Sequence, residues 1–217
     1  GLGDVYKRQE LRTPLTIIEA DTEVLEMDFG ENEWLQDIRE QTKRLADLTG
    51  SLVMLSRMEE GQNGNLKVEF PLSDMVEEVC HTFQAPAKIQ GICMKTAITP
   101  MISIKGDEKA IRSLITILLD NAVKYTNERG RIDVTLGKKK NRIYLSVFNT
   151  TEYISKEQTS RLFDRFYRTD ISRNSQTGGY GLGLSIAAAT ADSHKGKIMA
   201  ETEDEKSLRI TVTFPGQ

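Results

Sequence analysis

Residues 178–186 read GGYGLGLSI, and the reading of this stretch decides the fold. Gly179, Gly181 and Gly183 let backbone amides approach a ligand with no Cβ in the way, and the Leu184-Ser185-Ile186-Ala187-Ala188-Ala189 run that follows starts a helix. A helix N-terminus opening out of a glycine-rich loop presents unpaired N–H groups and the positive end of the helix dipole, which together bind phosphate. The same string serves equally as a flexible turn. It is not a dinucleotide-binding fingerprint, because residues 170–177 are polar loop rather than strand and no βαβ unit follows.

Two other stretches bear on the choice. Residues 120–126, DNAVKYT, end an apolar run (Leu114, Ile115, Ile117, Leu118, Leu119, Ala122) whose three- and four-residue steps predict a helix packed on a core. Asn121 and Lys124 are then neighbours on one face. An amide oxygen ligates Mg²⁺ and an ammonium neutralises phosphate, so the pair suits a metal–triphosphate. Read structurally, the same residues are a helix C-terminus followed by an Asn-Glu-Arg-Gly turn. Residues 162–168, LFDRFYR, put three aromatics beside two arginines, and alone they describe an aromatic cluster anchoring the polar loop.

At 217 residues and 38% hydrophobic content, the chain has enough apolar material for one large domain or two small ones. It contains no run of eighteen apolar residues, and the N-terminal residues lack the apolar core of a signal peptide. Cys80 and Cys93 are not in C-x-x-C spacing, which argues for reduced thiols and against a metal site. A net charge of −3 gives no electrostatic case for nucleic acid. Residues 138–140, three lysines between two strand-like segments, read as a solvated hairpin turn.

From Leu11, apolar residues recur at Leu15, Ile18, Leu25 and Phe29, with Thr22 filling the remaining place of a seam with a 3.5-residue period. Extended backwards, the seam lands on Arg8 and Asp4, so residues 1–9 read as a leader foreign to this helix. Gly30 breaks the helix and Asn32 caps a second one, which runs to about residue 60 with a seam of Trp34, Ile38, Gln41, Leu45, Leu48, Leu52 and Leu55. One α-hairpin cannot cover both seams, so two pair as a dimeric four-helix bundle; the alternative is a hairpin packed on its own C-terminal domain. Residues 61–65 are a linker by composition. Beyond them the pattern predicts strands at 66–70, twice within 93–104, at 131–136, 142–148, 198–201 and 208–214. Helices are expected after Pro71, from Asp107 and over 183–194. Helices on one face of a mixed sheet make an α+β sandwich, and the expected organisation is leader 1–9, hairpin 10–62 and catalytic domain 63–217.

Taken in order, DNAVKYT, FDRFYR and GGYGLGLSIA resemble the N box, F box and second glycine box of the sensor histidine kinases of two-component signalling. Residues 10–16, ELRTPLT, resemble their H box, and the resemblance covers residues 10 to about 215. It implies the ATP-binding fold shared with DNA gyrase, ATP and Mg²⁺ as cofactors, and a homodimer whose phosphoryl group passes to a histidine and then to a response-regulator aspartate. It implies also a cytoplasmic portion of a protein anchored in the inner membrane through an upstream segment.

On the ATP side it implies Asn121 as the metal ligand, with Lys124, Tyr125, Phe163, Arg165, Gly179, Gly181, Leu182, Gly183 and Leu184. At the first glycine box this chain reads Asn149-Thr150-Thr151-Glu152-Tyr153-Ile154 where the family has Asp-x-Gly-x-Gly. Asn149 keeps an acceptor oxygen for the adenine amino group but loses the charge, and Thr151 and Ile154 complete that end of the site. In the H box, Glu10 is the general base, Thr13 places a water for dephosphorylating the receiver, and Pro14 kinks the helix. The phosphate-accepting histidine is replaced by Gln9, whose amide lone pair is delocalised into the carbonyl and is no nucleophile. His81 reads as a surface residue, and His194 sits at a helix end where a partial positive charge is favourable. The alternatives are a degenerate kinase acting as nucleotide-binding phosphatase or scaffold, a conformational ATPase of related fold, and a coiled-coil adaptor. The second is disfavoured by Ile117, which stands where such an ATPase carries a carboxylate to activate water.

Overall fold

A computed structural model describes the backbone of residues 2–30, 32–59, 68–168 and 180–216, and among these the side chains of all but residues 2–12 and 57–59. The chain divides into two compact units, Gly1–Gln62 and Asn63–Gln217. No helix among the described residues is long and apolar enough to cross a membrane.

The first unit is a helical hairpin, α1 (Leu2–Phe29) and α2 (Glu33–Glu59), and α1 continues through Pro14. Gly30 takes the left-handed φ of +77° and donates its N–H to Glu26 O at 2.9 Å, closing α1 as a helix C-terminal glycine does. Asn32 Oδ1 accepts from the Leu35 N–H at 3.0 Å, the expected cap of α2. An Arg39–Glu26 ion pair joins the helices.

Burial takes up part of the predicted seams. Leu15 and Thr22 of the α1 seam and Leu55 of the α2 seam are buried, whereas Trp34 and Gln41 are exposed and the buried positions in the first half of α2 are Leu35 and Thr42, one residue on. Thr22 and Thr42 tolerate burial because their hydroxyls donate to Ile18 O (2.6 Å) and Ile38 O (2.8 Å) one turn back. Ile18, Leu25, Ile38, Leu45 and Leu52 remain exposed, an unpartnered apolar stripe.

The second unit contains β1 (Val68–Pro71), α3 (Leu72–Ile89), β2 (Cys93–Ile98), β3 (Ser103–Gly106) and α4 (Glu108–Tyr125). It continues with β4 (Arg131–Lys139), β5 (Arg142–Thr150), α5 (Lys156–Arg161), α6 (Gly183–Ser193), β6 (Lys197–Glu201) and β7 (Ser207–Pro215). The main sheet has the order β2-β4-β5-β7-β6, with β2–β4 parallel and the other pairs antiparallel, while β1 and β3 form a separate antiparallel pair. Period-two alternation sends Ile132, Val134, Leu136, Ile143, Leu145, Val147, Ile210 and Val212 into the core. There they join Val76 and Val79 of α3, Ile111, Leu114, Ile115, Leu118 and Leu119 of α4, and Ala187 and Ala191 of α6. Of the lysine run, Lys138 and Lys139 end β4 and Lys140 makes the β4–β5 turn with Asn141, at a left-handed φ of +54°.

His81 is exposed, as expected. His194 differs from expectation: its Nε2 accepts the Asp107 N–H at 2.9 Å while Nδ1 lies 2.7 Å from Thr190 O. The two ring nitrogens thus face one backbone group each from two different elements. The ring fits because Gly106 has no side chain; a Cβ there would lie 2.5 Å from it. His194 therefore ties the end of α6 to the start of α4.

Candidate functional site

Helix α4 is held at both ends. Asp107 Oδ1 accepts from the Ala110 N–H at 3.1 Å, and the Thr126 N–H and hydroxyl both return to Ala122 O, at 3.0 and 2.6 Å. Its last turns bring Ile117, Asp120, Asn121, Lys124 and Tyr125 to the wall of a cavity of about 360 Å³, a size suited to a small-molecule ligand. Opposite stands the glycine loop. Gly181 has φ +71° and its carbonyl accepts the Phe166 N–H at 3.0 Å; a Cβ at this position would lie 2.7 Å from Tyr167 O. Only glycine meets both demands. A Cβ on Gly183 would stand 3.4 Å from Ile117, so α6 starts close against α4. Among the described residues no side chain caps α6, which leaves its first N–H groups for a ligand at the cavity wall formed by Gly181, Gly183 and Leu184.

The far end of the cavity is lined by Asn149, Thr151, Glu152, Tyr153 and Ile154. Asn149 is 3% exposed, and its Nδ2 donates to Thr150 O at 3.1 Å, which turns Oδ1 into the acceptor this amide offers. The Thr151 and Ile154 N–H groups donate to Lys206 O (2.9 Å) and Glu205 O (2.8 Å). The loop that stands in place of the glycines is thus stitched to the β6–β7 turn, and these two residues line the cavity without a backbone donor to spare.

Burial lowers the pKa of Lys124, Asp120 opposes that shift and Arg168 adds to it. A half-desolvated ammonium beside an arginine gains strongly from an arriving anion. Among the described residues no three His, Cys, Asp or Glu side chains gather in a metal-binding group. A Mg²⁺ carried by a triphosphate needs only one or two protein oxygens, and Asn121 on the cavity wall meets that need.

The other expected site residues fall elsewhere. Phe163 packs against the core, Arg165 is exposed and Leu182 is buried; none of the three lines the cavity. Gly179 lies outside the described residues, as do the side chains of Gln9 and Glu10, whose backbone belongs to α1; Thr13 is exposed on the same helix. Sequence reasoning missed Tyr167, Arg168, Tyr153 and Tyr180, all on the cavity wall. Tyr167 and Arg168 were within the quoted LFDRFYR stretch. Phe166 takes a left-handed φ of +62°, so the residues after it face the cavity where a continuing helix would have turned others inward.

Residues 106–217 match the family model "Histidine kinase-, DNA gyrase B-, and HSP90-like ATPase", and residues 8–61 match "His Kinase A (phospho-acceptor) domain". The sensor protein DltS of Streptococcus agalactiae serotype III (strain NEM316) is 34% identical over 209 residues, covering 95% of this chain and 52% of that protein. The sensor histidine kinase YkoH of Bacillus subtilis (strain 168) is 33% identical over 213 residues, covering 96% of this chain and 46% of that protein. The chain thus spans about half the length of the curated relatives it matches. Among solved structures, full-length ShkA in complex with AMPPNP superposes with a TM-score of 0.80 at 23% identity, over 98% of this chain and 45% of that one. The Acinetobacter baumannii histidine kinase AdeS gives 0.69 at 23% identity, over 95% and 97%. At that identity the two structures speak for the fold alone. The two family models match in the order hairpin then ATPase fold, and single relatives match across both, so the chain belongs to the sensor histidine kinases of two-component signalling.

Proposed function

We propose that the cavity between α4, the glycine loop and β5 binds Mg²⁺–ATP and that the chain is the phosphoryl-transferring core of a sensor kinase. The observation that carries the reading is the pairing, across one cavity, of Asn121 and Lys124 on α4 with the uncapped start of α6. Phosphoryl transfer needs positioning and charge neutralisation more than covalent chemistry. Lys124, with its depressed pKa, and Arg168 supply cationic charge for the phosphates, and the N–H groups of Gly183 and Leu184 supply donors. Asn121 would give the oxygen that holds Mg²⁺, and the ion would supply charge neutralisation to the triphosphate. Asn149 Oδ1 receives the adenine amino group, with Thr151, Ile154 and Tyr125 around the nucleotide. Phe163, packed against the core, and Arg165, exposed, stand outside the cavity.

The ATPase fold and the ATP analogue bound to a structural neighbour support ATP as the ligand. The phospho-acceptor family match supports a homodimer formed through the hairpin and a response-regulator receiver as partner. The naming of relatives as sensor proteins supports a cytoplasmic core whose whole protein is anchored in the inner membrane. We assign residues 10–62 to dimerisation and phosphotransfer and 63–217 to catalysis.

Position 9 decides activity. Glu10 is the base for an imidazole at that position and Thr13 serves receiver dephosphorylation, but Gln9 offers no nucleophile. Incubation with γ-labelled ATP at neutral pH should leave the parent protein without acid-labile phosphate. Gln9→His, made with a helical extension in place of residues 1–8, should gain it, and Glu10→Ala in that background should lose most of it. A Gln9→His protein that binds ATP yet stays unlabelled would replace this reading with that of a nucleotide-binding scaffold.

A further inference from the structure

Just before the F-box segment, the last residue of α5, Arg161, stays outside the cavity but stacks on a residue that lines it. After α5 the chain folds into successive tight turns: the Asp164 N–H donates to Arg161 O at 2.9 Å and the Tyr167 N–H to Asp164 O at 3.3 Å. Residues 161, 164 and 167 are thereby stacked on one side. The Arg161 guanidinium carbon lies 4.4 Å from the centroid of the Tyr167 ring, and its Nε is 3.5 Å from Asp164 Oδ2. The ion pair fixes the azimuth of the guanidinium, and the guanidinium covers the ring. The backbone beneath cannot slide, because Phe166 donates to Gly181 O and Gly181 packs against Tyr167 O too closely to admit a Cβ. Tyr167 lines the cavity; Arg161 does not.

We infer that Arg161 is a positioning residue for nucleotide binding, acting through Tyr167: stacked on the ring and braced by Asp164, it holds that ring as the wall of the cavity next to Arg168. The inference rests on the reading of the cavity as a nucleotide site. A tyrosine in a turn has two side-chain torsions to lose on binding a ligand, and a ring already pinned from behind loses them before the ligand arrives. The stack is solvent-exposed, with both Arg161 and Asp164 side chains more than half accessible, so the effect is modest and of defined size. An exposed cation–π pair accounts for about two- to five-fold in affinity.

The test is a double-mutant cycle on Mg²⁺–ATP affinity with Arg161→Ala, Tyr167→Leu and the two together, alongside Arg161→Lys and Arg161→Gln. Tyrosine ring signals by NMR are recorded for the ligand-free proteins. Expected are an about two- to five-fold loss for Arg161→Ala, no further loss when it is added to Tyr167→Leu, recovery by Lys and none by Gln. The Tyr167 ring signal shifts and sharpens in Arg161→Ala without nucleotide and stays in place in Arg161→Lys. A merely structural role predicts equal losses for Lys, Gln and Ala with an unmoved ring signal, and that result overturns the inference. So do multiplicative losses in the cycle, or an Arg161→Ala protein that binds as the parent does. A parent protein that binds no ATP removes the nucleotide reading itself, which separates that failure from this one.

Discussion

Leu45→Glu with Leu52→Glu should split the dimer proposed to form through the hairpin, and the size of the effect follows from exposure. In the single hairpin Leu45 and Leu52 keep 46% and 38% of their surface accessible, although both belong to a heptad stripe with Ile18, Leu25 and Ile38. Complete burial of a leucine contributes roughly 1.5–3 kcal/mol, so covering the exposed remainder contributes about 1 kcal/mol per side chain. Two positions in each of two protomers give about 4 kcal/mol, or about a thousand-fold in dimer Kd. Glutamate forfeits that term and would also have to desolvate a carboxylate at each position, so the loss is larger still. Sedimentation at loadings on the order of tens of micromolar reads the outcome. The parent sediments as a dimer and the variant as a monomer with unchanged helix content. A parent already monomeric at that loading, or a variant with the parent's Kd, refutes the reasoning that the stripe is an interface.

Two further outcomes follow from shifted ionisations. Since burial lowers the pKa of Lys124, the free protein begins to lose the Lys124 charge below the ordinary lysine range, and binding a phosphate there requires proton uptake. ATP affinity should therefore fall as pH rises through the lowered Lys124 pKa, and Lys124→Arg should flatten the profile; a parallel decline in both proteins would exclude Lys124 as the source. Burial pushes the Cys80 thiol up to about 12, whereas Cys93 is exposed on a sheet edge. An aromatic disulfide reagent at neutral pH should modify one thiol per native chain and both after unfolding, and rapid modification of both in the native protein would contradict the burial of Cys80.

Much of this architecture was legible because its signals are local. Asn32 as a cap, Gly30 as a helix stop, the lysine turn and the strand alternation each follow from residue chemistry within a few positions. The N-box helix was legible from its apolar spacing alone. What the sequence hid depends on tertiary choices. The heptads do not say which seam positions pack inside the hairpin: Leu15, Thr22 and Leu55 go in, Leu35 and Thr42 are buried where Trp34 and Gln41 were expected, and the two threonines are tolerated there because their hydroxyls bond backward. The role of His194 as a tether depends on Asp107, 87 positions away. Tyr167 and Arg168 face the cavity because Phe166 turns left-handed against Gly181, a choice made by the approach of the glycine loop and invisible in LFDRFYR itself.

The central claim is that α4 and the start of α6 hold Mg²⁺–ATP between them, and calorimetric titration tests it most directly. The parent protein should bind ATP more tightly with Mg²⁺ than without, and Asn121→Ala should bind it with no Mg²⁺ dependence, because that change removes the metal's protein oxygen and leaves Lys124, Arg168 and the glycine-loop amides in place. Equal Mg²⁺-dependent affinity in the two proteins, or no ATP binding by the parent, would contradict it.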